Sequence, residues 1–222
     1  MASCLRIAID GTASSGKSTV ARLLARRLGI LFLDTGAMYR ALTWKALRQG
    51  VPLEDGEGLA RMAEETEMII RPVGETVRIE LDGEVLGEDL LSPEISRGTA
   101  LLATVSAVRR ELVRLQRQQA ERGSVVMVGR DIGTVVLPQA ELKIFLVADL
   151  LERARRRWEE LGKRHSLEEV ERELSHRDRQ DQEREDSPLV PASDAHVLDS
   201  TRLTPGQIVD RIIELLEAQK AS

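Results

Sequence analysis

Residues 5–19 read Leu-Arg-Ile-Ala-Ile-Asp-Gly-Thr-Ala-Ser-Ser-Gly-Lys-Ser-Thr, and this stretch decides the fold. Its first part is apolar and β-branched, which predicts a short buried strand. Residues 11–18 then match the phosphate-binding pattern G-x-x-x-x-G-K-[ST] without a mismatch. Apolar residues recur at helical spacing after this loop and predict a helix ending near Gly29, at Val20, Leu23, Leu24 and Leu28.

The residue types in this loop suit a triphosphate. Gly11 and Gly16 have no Cβ, so the backbone can point its N–H groups at phosphate oxygens. Lys17 supplies a positive charge for the β- and γ-phosphates, and Ser18 supplies a hydroxyl for Mg²⁺, directly or through water. A glycine turn without a ligand is disfavoured, because the lysine, the hydroxyl and both flanking elements are present. We predict an ATP site made by Gly11, Thr12, Ala13, Ser14, Ser15, Gly16, Lys17, Ser18 and Thr19.

Composition and charge argue against several classes of protein. The 222 residues carry a net charge of −5, which disfavours a nucleic-acid-binding protein. No apolar run approaches about 18 residues, and no signal-peptide pattern opens the chain. The one cysteine cannot form an internal disulfide, and the three histidines lack metal-ligand spacing. We expect a cytoplasmic monomer that binds small molecules and contacts neither nucleic acid nor a membrane.

Five short apolar runs are typical of parallel strands, and helical patterns separate most of them. They cover residues 5–9, 30–33, 125–128, 142–147 and 196–198. The sequence therefore predicts an α/β core with a five-stranded parallel sheet flanked by helices. Ligands bind at the carboxyl ends of such strands. Polar residues and glycines follow the runs, which places the predicted site at this edge of the sheet.

The stretch from about 51 to 105 interrupts this alternation. Val77, Ile79 and Leu81 alternate with polar residues, and Asp82-Gly83 is a hairpin turn signal before apolar residues resume. We predict a small antiparallel insertion here. A helix over about 105–122 leads back to the core.

A helix predicted from Asp149 carries several arginines. Asp149 and Glu152 match a capping box at its start. Arg153 and Arg157 share a face, where guanidinium groups could close over a triphosphate as part of a lid. Exposure of these arginines to solvent is the alternative.

The next helix is predicted to start at a second capping box, Ser166 with Glu169. One face of this helix begins apolar and becomes charged, through Val170, Leu174, Arg177, Asp181 and Arg184. Both an anion site and a solvated salt-bridge helix fit this pattern.

Two further segments follow predicted strands at the ligand edge. Arg130 could grip a phosphate with two hydrogen bonds, and Asp131 could orient that arginine or contact the water shell of a metal. Thr35 can cap the next helix, whose amide end favours an anion. Tyr39 and Arg40 fall in the first turns of that helix.

These pieces, in this order, resemble the bacterial cytidylate kinase family over nearly the whole chain. The phosphate-binding loop alone marks a very large superfamily, whereas the later motifs are far more specific. The motifs are Asp34-Thr35-Gly36-Ala37-Met38-Tyr39-Arg40, Val108-Arg109, Gly129-Arg130-Asp131-Ile132-Gly133-Thr134-Val135-Val136, Arg177-Asp178-x-x-Asp181-x-x-Arg184, and Pro188-Leu189 leading to Asp199-Ser200-Thr201.

The resemblance implies a nucleoside monophosphate kinase fold, with one P-loop kinase domain over residues 1–222. Its core would comprise about 1–50, 105–150 and 185–222. A monophosphate-binding insertion would cover about 51–105, and a lid region about 151–184.

The resemblance also implies roles for single residues. A CMP site would be lined by Thr35, Tyr39, Arg40, Arg109, Arg130, Asp131, Arg177, Asp181 and Arg184. The basic members would hold the α-phosphate, and Asp181 with Arg177 would face the ribose. Catalysis would rest on Lys17, Arg130, Arg153, Arg157 and Arg177. The chain departs from the family at Val128, where Asp is common, and at Ala100, where Ser or Thr is frequent, both placed by the resemblance on the nucleoside side.

The resulting hypothesis is transfer of the γ-phosphoryl group of ATP, with Mg²⁺, to CMP or dCMP in pyrimidine nucleotide metabolism. Two alternatives stay open. One is a P-loop kinase for UMP, AMP or a metabolite. The other is a P-loop ATPase or switch, although the chain lacks the Asn/Thr-Lys-x-Asp motif of a guanine switch.

Overall fold

The structure, a computed structural model, describes residues 4–74, 76–87, 90 and 92–220. The strands are β1 Arg6–Gly11, β2 Leu31–Asp34, β3 Met68–Val73, β4 Thr76–Leu81, β5 Glu84–Val85, β6 Val125–Val128, β7 Leu142–Val147 and β8 His196–Asp199. The helices are α1 Lys17–Leu28, α2 Thr35–Gln49, α3 Gly56–Glu65, α4 Pro93–Leu102, α5 Ser106–Glu121, α6 Leu150–Glu160, α7 Leu167–Gln182 and α8 Pro205–Lys220, with a π-helical turn over Ile132–Val136.

The predicted five-stranded parallel sheet is confirmed, with the order β2-β6-β1-β7-β8. β6 and β7 have the predicted bounds, and the other three strands differ from prediction by one or two residues. β1 is the central strand of the sheet, and it is therefore buried along almost its full length. Its carboxyl end therefore delivers the phosphate-binding loop to the middle of the ligand edge.

Helices cover both faces of the sheet. On one face, α1 and α8 pack on side chains of β1, β6 and β7. On the other face, α2 and α5 enclose a second apolar cluster that also takes in the insertion. None of the helices in the described ranges has the length and apolar character that a bilayer crossing requires.

The inward face of α1 is rotated relative to the prediction. Val20 and Leu24 are fully buried, together with Ala21 and Ala25, which complete the stripe. Leu23, predicted to face inward, leaves 37% of its surface exposed. The two small alanines let the helix lie close to the sheet, so the stripe turns away from Leu23.

The predicted hairpin of the insertion is confirmed as β4 and β5, joined at Asp82 and Gly83. A third strand, β3, was not predicted and pairs antiparallel with β4, opposing Ile70 to Ile79. Helices α3 and α4 of this segment were also missed. Ile79 belongs to the same apolar cluster as Tyr39 of α2, so the insertion shares a core with the rest of the chain.

One of the two predicted capping boxes forms. Ser166 and Glu169 exchange both hydrogen bonds at the start of α7. At α6, the Asp149 side chain accepts from the backbone as predicted, but the reciprocal bond from Glu152 is absent from the described contacts. The Asp149 N–H instead donates to Thr201 Oγ1, and the Glu152 carboxylate accepts from Arg156.

The packing of α1 can be tested with Leu24→Ala and Leu23→Ala. Leu24 is 0% exposed, so its truncation should leave a cavity and lower the free energy of unfolding by about 2–5 kcal/mol. Leu23→Ala removes the same atoms from a half-exposed position and should cost at most about 1 kcal/mol. Urea unfolding would measure both values, and equal losses would contradict the assigned helix face.

Candidate active site

The predicted phosphate-binding loop, residues 11–18 (the P-loop), joins β1 to α1. Gly11 has a φ of 145°, and a Cβ there would lie 2.0 Å from the carbonyl oxygen of Leu146. Gly16 precedes α1 with a φ of 88°. Both glycines are therefore required by the backbone, one by contact with β7 and one by its left-handed conformation.

Lys17 is buried at the first position of α1. Its Nζ lies 2.5 Å from the carbonyl oxygen of Thr12 and 3.4 Å from Ser15 Oγ. Burial, and then the positive charge of Arg130, hold the pKa of Lys17 well below its ordinary value. A phosphate group in the loop would oppose both effects and favour the charged ammonium.

Five guanidinium groups converge beside the P-loop from α2, α5, α7, the residues just after α7 and the segment after β6. With the carboxylates of Asp34, Asp131 and Asp181 they form what we term the arginine cluster: Arg40, Arg109, Arg130, Arg177 and Arg184. Five cations against three anions leave the cluster positively charged. An anionic ligand would balance this surplus.

Asp181 holds the centre of the cluster. It is 2% exposed and accepts hydrogen bonds from Arg130 Nε, at 2.7 Å, and from Arg184 Nη2. Burial alone raises the pKa of a carboxyl, but Arg130 and Arg184 outweigh it and lower the pKa of Asp181. The interpretation of the α7 face as a solvated salt-bridge surface is therefore wrong, because the charged end of the stripe points into the protein.

Asp131 does not orient Arg130, so this one of its two predicted roles is wrong, and contact with the water shell of a metal stays a prediction. Asp131 forms a buried ion pair with Arg109 of α5. Arg130 forms its ion pair with Asp181. The two side chains are adjacent in sequence but diverge after β6, so each meets a different helix.

Other donors in the cluster lack partners. In the described part of the protein, Arg40 Nε and Arg184 Nε are buried without a hydrogen bond. Arg177 forms no hydrogen bond or ion pair with described residues, and burial followed by the charge of Arg130 lowers its pKa to about 10. Buried donors are almost always satisfied in proteins, so the two unpartnered Nε atoms indicate a ligand position, and the partly exposed Arg177 lies near them.

Thr35 and Tyr39 lie at the start of α2 beside the cluster. Asp34, not the predicted Thr35, occupies the N-cap position, and Thr35 Oγ1 donates instead to the carbonyl oxygen of Val128 at 2.8 Å. The Tyr39 ring lies 5.9 Å from the Arg109 guanidinium carbon, and burial raises the tyrosine pKa to about 12. Tyr39 is therefore a neutral wall of the cluster.

Of the two predicted lid arginines, Arg153 reaches the P-loop. Its Nη1 lies 3.1 Å from the carbonyl oxygen of Ala13 and 2.5 Å from Asp178 Oδ2. Arg157 pairs with Glu160 on α6 and stays partly exposed. Asp178 belongs to one of the sequence motifs, but its neighbours in sequence gave no sign that it would face the loop.

No role was predicted for Asp34 from the sequence, although it is the last residue of β2, at the ligand edge. Its Oδ2 lies 3.4 Å from Ser18 Oγ. A carboxylate and a hydroxyl at this separation are hard oxygen donors, which fit Mg²⁺ that is also held by substrate phosphates.

Asp10 is a third carboxylate without a predicted role. It accepts from the N–H groups of Ile132 at 2.8 Å and Gly133 at 2.7 Å, which tie the segment carrying Arg130 to the start of the P-loop. Burial raises the pKa of Asp10 to about 6, although the two backbone bonds oppose this.

Val128 does not line the arginine cluster. Its side chain is buried with Ile9 and Val20 in the apolar cluster under α1. The position implied by the resemblance, on the nucleoside side, is therefore wrong for this side chain. Ala100 is half-buried near the end of α4.

The sequence model of the cytidylate kinase family matches residues 7–218. A cytidylate kinase from Desulfitobacterium hafniense is 52% identical over 95% of this chain and 92% of its own length. A cytidylate kinase from Pelotomaculum thermopropionicum is 50% identical over 96% of each chain. Among solved structures, a shikimate kinase from Acinetobacter baumannii in complex with shikimate has a TM-score of 0.51 at 17% identity, and the match covers 99% of this chain and 97% of that one. This last likeness shows a shared P-loop kinase fold.

The environment of Asp10 predicts a pH dependence. Because its folded pKa of about 6 exceeds the ordinary value of 3.8, the folded state holds the proton more tightly than the unfolded state. The stability contributed by this group is complete below about pH 4 and is lost as the pH rises to about 6, by at most about 1.4 kcal/mol per pH unit.

Asp10→Asn lacks this titration and provides the reference. The free energy of unfolding of the wild type minus that of Asp10→Asn should fall between about pH 4 and 6 and level off above. Chemical denaturation from pH 4 to 8 measures it, and a difference independent of pH would refute the assignment.

Proposed function

The chain belongs to the cytidylate kinase family and is a nucleoside monophosphate kinase, and we propose that it transfers the γ-phosphoryl group of ATP to CMP or dCMP. One observation carries the proposal. Asp10 ties the segment that carries Arg130 to the start of the P-loop, and Arg130, Arg177 and Asp181 lie near enough to Lys17 to influence its pKa, so a triphosphate site and a second anion site share one neighbourhood. A cleft that must hold two nucleotides end to end needs this arrangement.

ATP would be held by the P-loop and by the first residues of α1. The backbone N–H groups would cradle the phosphates, and Lys17 would contact the β- and γ-phosphates. Ser18 and Asp34 would hold Mg²⁺ together with phosphate oxygens. The ion would neutralise part of the negative charge on the phosphates.

The acceptor would bind in the arginine cluster. Its α-phosphate would meet the unpartnered donors of Arg40, Arg177 and Arg184, while Arg130 stays oriented by Asp181. Tyr39 and Thr35 would form the adjoining wall. This arrangement favours a doubly charged monophosphate over a neutral metabolite, because the cluster carries surplus positive charge.

The reaction needs positioning and charge stabilisation more than a general base. The acceptor phosphate is already ionised near neutral pH, and its oxygen attacks the γ-phosphorus while the bond to the β-phosphate oxygen breaks, releasing ADP. Lys17, Arg130 and Arg177 would stabilise the charge on the transferring group. Arg153 donates a hydrogen bond to the Ala13 carbonyl oxygen of the P-loop.

The proposal also includes the predicted division of the chain into a core, a monophosphate-binding insertion and a lid. Residues 51–105 would form the monophosphate-binding insertion and 151–184 the lid, which must exclude water so that ATP is not hydrolysed. We place the reaction in the cytoplasm, as pyrimidine nucleotide metabolism carried out by a monomer.

The proposed function is tested by ADP production from ATP and Mg²⁺ with CMP, dCMP, UMP, AMP and GMP as acceptors. CMP or dCMP should give the largest acceleration. Lys17→Met controls for contaminating kinases, and its turnover should fall about 10²–10³-fold while its circular dichroism spectrum stays unchanged. Acceleration by UMP or AMP alone would indicate a different acceptor, and ADP production independent of acceptor would indicate an ATPase.

Arg177→Gln tests the acceptor site separately. Loss of one charged hydrogen-bond donor should raise the KM for CMP about 10–100-fold and leave the KM for ATP within about 2-fold. Stability should not fall, because repulsion from Arg130 is also removed. Arg172→Gln, on an exposed position of α7, is the matched control. Equal changes in both KM values would contradict an acceptor role.

A further inference from the structure

We propose that Asp178 is a positioning residue that couples the P-loop to the acceptor-binding helix α7, so that binding of one nucleotide favours binding of the other. This inference rests on the proposed function. Its basis is a set of contacts around one residue of the P-loop, Ala13, all made by residues of the lid region.

Both backbone groups of Ala13 are bound by the lid region. The Ala13 N–H donates to Asp178 Oδ1 at 3.0 Å, and the Ala13 carbonyl oxygen accepts from Arg153 Nη1 at 3.1 Å. Arg153 and Asp178 also form an ion pair at 2.5 Å. Three groups from three segments thus close a ring of polar contacts that neither α6 nor α7 could form alone.

This ring is protected from water. Ala13, Arg153 and Asp178 are all buried, and the Ala13 side chain packs in an apolar cluster with Ala154, Val170 and Leu174. A buried ion pair that loses one partner leaves the other charge uncompensated, which is costly. The loop and the two helices are therefore expected to move as one unit or to separate together.

Asp178 also stands next to acceptor-binding residues on the same helix. Arg177 precedes it, and Asp181, which orients Arg130, follows within one turn. An α-helix is stiff over this distance, so the position of Ala13 and the position of the Asp181 carboxylate depend on each other. ATP that orders the P-loop would thereby order the arginine cluster before CMP arrives.

A second contact to the P-loop provides a control that distinguishes coupling between the two nucleotide sites from mere structural support of the loop. Ser200 Oγ lies 2.9 Å from the carbonyl oxygen of Ser15, and Ser200 follows β8 at the edge of the core sheet. This bond supports the same loop and involves no residue of α7. Arg156 of α6 also contacts Ser200, mainly through the Ser200 carbonyl oxygen at 2.7 Å, which Ser200→Ala keeps. Ser200→Ala should therefore weaken binding of ATP without changing its effect on CMP.

The experiment measures the dissociation constant of CMP by isothermal titration calorimetry, with and without saturating β,γ-imido-ATP and Mg²⁺. The full chain is compared with Asp178→Asn, Asp178→Glu, Ser200→Ala and the control Glu173→Gln, an exposed carboxylate on the same helix. In the wild type and in Glu173→Gln, the analogue should tighten CMP binding at least about 5-fold.

Asp178→Asn should reduce this factor to less than about 2-fold, because the amide cannot pair with Arg153, whereas a merely structural role would not change it. Asp178→Glu keeps the charge and should restore part of the coupling. This variant also tests the inference if Asp178→Asn is too unstable to study. Ser200→Ala should keep the wild-type factor.

An unchanged factor in Asp178→Asn, or a factor near one in a wild type that binds CMP, overturns the inference and leaves the proposed function standing. A wild type that does not bind CMP overturns the proposed function itself.

Discussion

A surplus of positive charge in the partly buried arginine cluster beside the P-loop is the constraint on which this protein is built. Cations removed from water must be balanced, and the chain balances them with carboxylates, two of which join separate segments. Asp181 brings α7 to the segment after β6, and Asp131 brings that segment to α5. The balance stays incomplete, since Arg177 and the Nε groups of Arg40 and Arg184 have no described hydrogen-bond partner. Nucleotide phosphates complete it in the proposed function.

The parallel sheet makes this convergence possible. β1 and β6 are neighbours, and both end at the same edge, so the P-loop and the segment with Arg130 leave the sheet side by side. Asp10 then joins the two segments through the N–H groups of Ile132 and Gly133. The two hydrogen bonds hold the Asp10 carboxyl group in a buried position. Burial disfavours its charged form and therefore raises its pKa.

Local patterns predicted the elements well where periodicity was strong. Residues 125–128 and 142–147 are uninterrupted apolar runs, and both strands were predicted to the residue. β3 was missed because Met68 and Ile70 provide only two inward positions before exposed residues follow. The exposed side of Leu23 was also missed, because helical spacing does not say how close a helix lies to its sheet. Within the site, the loop glycines and the convergence of arginines were predictable, whereas the roles of Asp10, Asp34 and Asp178 were not.

The sequence by itself determined the alternation of strands and helices in the core, the phosphate-binding loop and the residue types that handle phosphate, because these depend on neighbours along the chain. Only the tertiary structure decided which carboxylate meets which arginine. Asp181 lies 51 positions from Arg130, and Asp178 lies 165 positions from Ala13. Such pairs form because the packed sheet and helices bring their ends to one place, and no local pattern records that distance.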